Sequence, residues 1–475
     1  MYLRCVQTTT QPRTKRQRLE ELTDVHPNAA GLDIGSEEIV VAVPTDRDPQ
    51  PVRVFRTFTP DLLALLAWLL ACGIDTVAME STGVFWVPIY ELLEQHGIRP
   101  YLVNARHIKM VPGRKSDWND AQWLQKLHTL GLLRSSFRPD TEIVTVRTLA
   151  RYRAELIERR APHINHMQQA LKQMNIQLNV VLSDITGKTG LAILRAIAAG
   201  ERDPQRLGEL RNSNCKASVA EIEKALTGNW QAAPLFILQQ ALELFDYYTE
   251  KLAACDREME RQYQAMESRW MADAALPDLP KAKPDSKSKN EPNFNVRAQV
   301  ARIIGVDLVA VMGLSASTVQ TIISEIGTDM SRFPTVKHFC AWLGLAPRND
   351  ISGGKVLRSR TMKVRSRANQ AFRQAAELVA RSDSSYGAYY RSPRARLGPR
   401  QAIVATAHKI ARVVYHLLKT GEPYQEEGAA EYEQKRQERE LKYLTRRAHK
   451  LGYTLAPGAT TSPEALPAGG SPGSF

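Results

Sequence analysis

A chain of 475 residues is long enough for about three domains of ordinary size, and 64 Lys and Arg against 50 Asp and Glu leave a formal net charge of +14. That excess points to a polyanionic partner, nucleic acid before a membrane surface. No apolar run reaches the roughly 20 residues that span a bilayer, the basic N-terminus lacks the apolar core of a secretory signal, and Cys5, Cys72, Cys215, Cys255 and Cys340 are scattered with no CxxC pair, so a reduced, cytoplasmic protein with no membrane and no structural zinc is expected.

Residues 1–28 read as a basic arm, mobile until bound. From residue 29, AAGLDIG, EEIVVAVP and PVRVFRTF read as three short strands. DLLALLAWLLACG is a helix ended by Gly73, DTVAMEST a fourth strand, VFWVPIYELLEQHG a helix, IRPYLVN a fifth strand, and a third helix starts near Trp118. Three strands, helix, strand, helix, strand, helix, with acids on the first strand, the fourth strand and the last helix, is the order of the RNase H-like fold of RuvC-type nucleases. This α/β domain is placed at 29–141.

The remainder reads as all-α. Over 142–276 a coiled coil is expected. Ile164, Met167, Leu171, Met174, Leu178 and Val181 form one seam, with Pro162 starting or kinking it. Leu238, Phe245, Leu252, Met259 and Met266 form a second at seven-residue steps. The two can pair antiparallel within one chain or join chains. A small helical insert lies between them at 183–234. A Pro/Lys/Ser linker follows at 277–295, then a compact helical domain at 296–424, and a charged helix with a low-complexity, disordered tail at 425–475.

Four acids carry the chemistry. Asp33 and Glu80 close buried strands, and Asp117 and Asp120 stand three apart on a helix face. Such carboxylates repel unless a cation holds them, and all-oxygen sites suit Mg²⁺ acting on phosphates. N-capping by Asp117 is the bland alternative. In the second motif, Ile351 to Ala376 holds no acid and seven bases: Lys355, Arg358, Arg360, Lys363, Arg365, Arg367 and Arg373. With Arg348 they form a loop and helix suited to gripping phosphates. Ser352, before Gly353 and Gly354, is a candidate nucleophile whose activation must come from elsewhere in space; the plain alternative is a turn. Residues 309–327 read as a helix, a tight Met-Gly-Leu hairpin and a second helix, a helix-hairpin-helix-like device for holding DNA phosphates or a structural αα-hairpin. His163 and His166 read as solvated helix residues. Trp86, Trp118 and Trp123 read as core.

GLDIG with Asp33, MESTG with Glu80, KSDWNDA with Asp117 and Asp120, and the late GLAPR…SGG block with Ser352 resemble the DEDD-type transposases of the insertion-sequence-110 family, relatives of the Piv-type invertases. The resemblance covers about residues 29–180 and 300–424. It implies a RuvC-like domain binding Mg²⁺ through the four acids, and a helical transposase domain whose serine forms a covalent phosphoserine link to DNA. It further implies a structured non-coding guide RNA (bridge or seeker RNA) pairing with donor and target DNA. The implied assembly is a dimer or tetramer in which one subunit's acids complete another's serine site, acting on the bacterial nucleoid. A purely hydrolytic RuvC-type junction nuclease and a non-enzymatic nucleic-acid scaffold are the competing readings.

Overall fold

Short runs rich in Val, Ile and Ala make the strands of the first 138 residues, and longer Leu-rich runs make its helices. In chain order these are β1 (Ala29–Ile34), β2 (Glu38–Ala42), β3 (Val52–Arg56), α1 (Thr59–Ala71), β4 (Thr76–Glu80), α2 (Trp86–Gln95), β5 (Arg99–Val103) and α3 (Asp120–Thr129). They build one mixed five-stranded sheet in the order β3-β2-β1-β4-β5. β2 runs antiparallel to both of its neighbours, β1 and β3, whereas β4 lies parallel to both β1 and β5. The parallel strands are joined through helices, as parallel pairing requires. The computed structural model describes residues 23–81, 83–104, 120–271, 274–277, 290–362, 364 and 366–456. Its two units are Met1–Arg138 and Pro139–Phe475.

The sheet buries both faces. Leu32, Val77 and Met79 face Leu65, Leu69, Ile89 and Leu93 of α1 and α2, and Ala78 faces Trp123, Leu124 and Leu127 of α3. The basic arm is shorter than the sequence suggests. The amides of Val25 and His26 both donate to the Thr129 carbonyl, and Asn28 bonds Asp75, so these residues belong to the first unit; residues 1–22 lie outside the described ones.

In the second unit, α4 (Thr141–Gln173) and α9 (Ala232–Ala265) are the long helices. Between them lie α5 (Leu178–Val181), α6 (Lys188–Ala198), α7 (Pro204–Glu209) and α8 (Val219–Leu226). Leu149 meets Cys255, Arg153 meets Asp256, Arg160 meets Thr249 and His163 meets Tyr248. Rising numbers against falling ones make the pair antiparallel within one chain. Leu238, Phe245, Leu252, Met259 and Met266 are all buried along it.

Three expectations fail here, in whole or in part. The first seam does not run on to Val181: α4 ends at Gln173, Asn175 takes a φ of 52°, and Leu178 turns into the core of the insert with Ile193, Leu194 and Ile222. Pro162 does not start the helix, which begins 21 residues earlier at Thr141 and runs through it. His163 is not simply solvated either; its ring stacks on Tyr248 at 5.5 Å.

Beyond them come α10 (Val296–Ile304), α11 (Ala316–Ile326), α12 (Val336–Trp342), the two-stranded hairpin β6 (Pro347–Ser352) and β7 (Lys355–Thr361), α13 (Arg367–Val379), α14 (Ser385–Leu397), α15 (Pro399–Thr420) and α16 (Ala429–Lys450). The expected linker is partly ordered: Arg153 and Arg160 both bond Asn290, the Asn293 amide donates to Asp256, and Phe294 is buried. Its residues 278–289 lie outside the described ones, as does the expected disordered tail from 457. The first half of the proposed helix-hairpin-helix is a single 3₁₀ turn, Leu308–Ala310, and not a helix; the second half is α11, ended by Gly327. No helix among the described residues is long and apolar enough to cross a membrane.

Candidate functional site

The acids of the first unit are positioned by strand register. β1 and β4 run parallel with Ala29 beside Thr76 and Leu32 beside Met79. The pairing ends there, and continuing its register one step along both strands would set Asp33 beside Glu80. Neighbours in register project to the same face, about 4.8 Å apart strand to strand. Alternation from Gly31 and Ala78 puts both carboxylates on the α3 side.

Gly31 explains how α3 reaches that face. A β-carbon there would stand 2.2 Å from the Ala121 carbonyl oxygen and 2.4 Å from the Gln125 amide nitrogen. The bare backbone lets the first turn of α3 settle on β1. Asp120 opens that helix directly before the fully buried Ala121. Thus Asp33, Glu80 and Asp120 come to one end of one sheet face, at the carboxyl ends of the central strands. Asp33 and Glu80 are half-buried and Asp120 is exposed. Asp117 lies outside the described residues. Among the described residues no three His, Cys, Asp or Glu side chains gather closely enough to hold a metal ion. The donor chemistry of the acids, oxygen only, suits a hard divalent cation.

At the opposite end of β4 the chemistry is structural. The Thr76 hydroxyl donates to the Arg99 carbonyl, so it accepts from His128 Nε2–H at 2.9 Å. Burial, with His26 and Arg99 nearby, pushes the His128 imidazole down to about 4, keeping it neutral.

The basic motif of the second unit is not the loop that its sequence suggests. Pro347–Ser352 and Lys355–Thr361 pair antiparallel, Arg348 opposite Arg360 and Asp350 opposite Arg358, with a bulge after Asp350. Gly353 (φ 54°) and Gly354 (φ 76°) form the two-residue turn between Ser352 and Lys355. Two positive φ values in succession are the signature of a type I′ hairpin turn, whose twist matches that of the strands. The glycines therefore serve the turn. Every residue of both strands is exposed, and Ser352 sits at the tip opposite Lys355. Its hydroxyl has no hydrogen-bond partner among the described residues.

Arg348 and Arg360 are like charges placed directly across a strand pair, an arrangement that costs stability unless an anion lies over it. After the hairpin, Ser366 caps α13 by accepting from the Asn369 amide. α13 buries Ala368, Phe372, Ala375 and Val379 and turns Arg367, Arg373 and Gln374 outward. Lys363 and Arg365 lie outside the described residues.

A residue set that sequence reasoning missed meets this surface. Arg367 lines one cleft with Gln370 and Arg373, and a second with Thr148, Arg151 and Tyr152 of α4. The two segments are more than 200 residues apart in sequence, so no local pattern could have joined them. Trp123 is core as read, Trp86 is half-buried against Tyr90 and packs on the core, and Trp118 lies outside the described residues. Cys72, Cys215, Cys255 and Cys340 are free thiols.

Two family models match the chain. The DEDD-type IS110 transposase model matches residues 30–176, and the model of the transposase IS116/IS110/IS902 family matches residues 297–391, together about half of the chain and in that order. The first spans the sheet and α3; the second spans the hairpin and α13. No curated protein matches the chain.

Proposed function

Since the chain belongs to the IS110 family of DNA transposases, we propose that it cuts and rejoins DNA through Ser352, with Asp33, Glu80, Asp117 and Asp120 forming the partner acidic site. The single observation carrying this reading is the strand register that sets Asp33 beside Glu80 on the face where α3 brings Asp120. The strand order also suits a RuvC-like, RNase H-type domain.

The DEDD-type domain points to divalent-metal dependence, and the four acids are the residues that would hold the ion, Mg²⁺ in this proposal. When bound, it would neutralise charge on the scissile phosphate and lower the pKa of the attacking hydroxyl. The remaining work falls to the chain itself. Arg348, Lys355, Arg358 and Arg360 on the hairpin, Lys363 and Arg365 after it, and Arg367 and Arg373 on α13 hold the phosphate backbone. Ser352 Oγ attacks phosphorus and loses its proton. The bond to one deoxyribose oxygen breaks, and that oxygen leaves with a proton. The resulting phosphoserine ester keeps the bond energy. A hydroxyl of the incoming strand then attacks the same phosphorus and releases Ser352.

Ser352 stands at an exposed tip without a local base, which suits a site completed by acids of another protomer in a dimer or tetramer. A surface of Arg and Lys reads backbone more than bases, which suits sequence choice by a paired guide RNA, with donor and target DNA as substrates. Such an enzyme works on the bacterial nucleoid in the cytoplasm. Ser352→Ala is expected to abolish the covalent protein–DNA adduct while DNA binding survives. An adduct of undiminished yield in that variant defeats the serine assignment. Nicked ends with no adduct in the native protein favour a hydrolytic RuvC-type nuclease, a reading for which the unpartnered Ser352 hydroxyl also speaks. Sequencing of co-purified RNA tests the guide.

A further inference from the structure

The C-terminal helix α16 lies beyond both matched segments, and its charges are segregated. Its first half, to Glu440, mixes Glu431, Glu433, Glu438 and Glu440 with Lys435, Arg436 and Arg439. From Leu441 to Lys450 there is no acid, but there are Lys442, Arg446, Arg447 and Lys450. In the first half, cations meet carboxylates: Lys435 pairs with Glu427 and Glu431, and Arg436 with Glu433. None of Arg439, Lys442, Arg446, Arg447 and Lys450 pairs with a carboxylate among the described residues, and all five are exposed.

The helix is anchored at one point. Tyr432 is its one buried residue, and Lys409 Nζ of α15 lies 3.9 Å from that ring's centroid, with Tyr389 and Tyr386 at 5.1 and 5.3 Å. Among the described residues no hydrogen bond reaches Lys409 Nζ; the three rings face that cation and the Glu427 carboxylate attracts it. Beside this anchor, Arg391 of α14 lines one cleft with the paired Glu433 and Arg436 of α16. The anchor fixes the root of α16 and leaves its basic half projecting.

Arg439, Lys442, Arg446 and Lys450 follow at steps of three, four and four, which places them on one helix face along about 16 Å. Four unpaired cations along so short a line repel one another and call for an anionic rod. Duplex DNA, which carries one negative charge per roughly 1.7 Å of axis, fits that charge pattern. We infer that the second half of α16 is an accessory clamp for the phosphate backbone of duplex DNA, separate from the hairpin and the acids. The inference rests on DNA being the substrate, and not on the identity of the nucleophile.

The test is a salt titration of full-length protein on a fluorescent duplex of arbitrary sequence, about 40 bp long, read by anisotropy. The variant Arg439→Gln, Lys442→Gln, Arg446→Gln, Lys450→Gln is expected to lower the slope of log K against log [salt] by about 3 to 4 and to weaken binding about tenfold or more. Arg439→Lys with Arg446→Lys is expected to keep the native slope, since charge and not shape carries the contact. A slope unchanged in the fourfold variant overturns the inference. So does a loss confined to a structured RNA probe, or an equal loss in the charge-conserving variant. Running both proteins in the Ser352→Ala background separates this outcome from any failure of the serine chemistry.

Discussion

Gly31 lets α3 lie close on β1 with Asp120 at its head, and the proposed acidic site depends on that approach. Gly31→Ala drives a methyl group into the Ala121 carbonyl and the Gln125 amide, both backbone, so the helix must shift. The expected cost is about 1–3 kcal/mol, read as a lower unfolding midpoint, with DNA cleavage falling far more than DNA binding. A variant with native stability and native cleavage would refute the role given to this contact. His128 gives a pH signature at the same scale. Its folded pKa of about 4 lies below the ordinary value of 6.5, so the unfolded chain binds the extra proton first as pH falls. The stability this group contributes is complete above about pH 6.5 and is lost progressively towards pH 4, by about 3 kcal/mol in all. His128→Gln is expected to flatten that part of a urea-midpoint profile; an equally steep profile would show that another group titrates. The positions of Asp33 and Glu80 were readable from apolar runs that end in an acid. That they share one face was not, since the one-residue register between β1 and β4 is set by long-range pairing.

At the scale of elements, the hairpin β6–β7 shows how composition can hide a strand. Its few apolar residues, Ile351, Val356 and Leu357, are all exposed and show no period-two alternation, so nothing marks a buried face and the stretch reads as a loop. The Gly353-Gly354 pair was the available signal, because two adjacent glycines between short runs favour a type I′ turn. Positive φ at both positions makes the prediction specific. Gly353→Val together with Gly354→Val should unravel the tip that presents Ser352 and abolish adduct formation, with the global unfolding midpoint nearly unchanged because the hairpin is exposed. Gly353→Asn should preserve activity, since Asn tolerates that conformation. Full activity in the double valine variant would mean that turn geometry does not present the serine. The α4–α9 pair failed in the other direction. Its heptads continue in sequence past Met174, but a left-handed Asn175 ends the helix, and the same apolar spacing then serves the insert core. Periodicity records which residues are buried, not which partner buries them. The buried Arg153–Asp256 pair, which also takes in Asn290 and the Asn293 amide, had no periodic signal at all.

For the whole molecule, the proposal assigns one reaction to two parts of the chain, the acids at the ends of β1 and β4 with α3 in one unit and the basic, serine-tipped hairpin in the other. In this proposal the acids supply the site for a cation, and the cations of the hairpin and α13 hold the phosphate backbone. Family membership makes the chain a DNA transposase; the proposal adds that neither half suffices alone. The most direct measurement is mass-spectrometric mapping of the DNA-linked peptide after incubation with substrate DNA and Mg²⁺, in native protein and in Asp33→Asn, Glu80→Gln. A phosphodeoxynucleotide on Ser352 in the native protein, and none in the acid variant, is the predicted result. A nucleotide linked to another residue, or an adduct on Ser352 that forms without the acids, would contradict it.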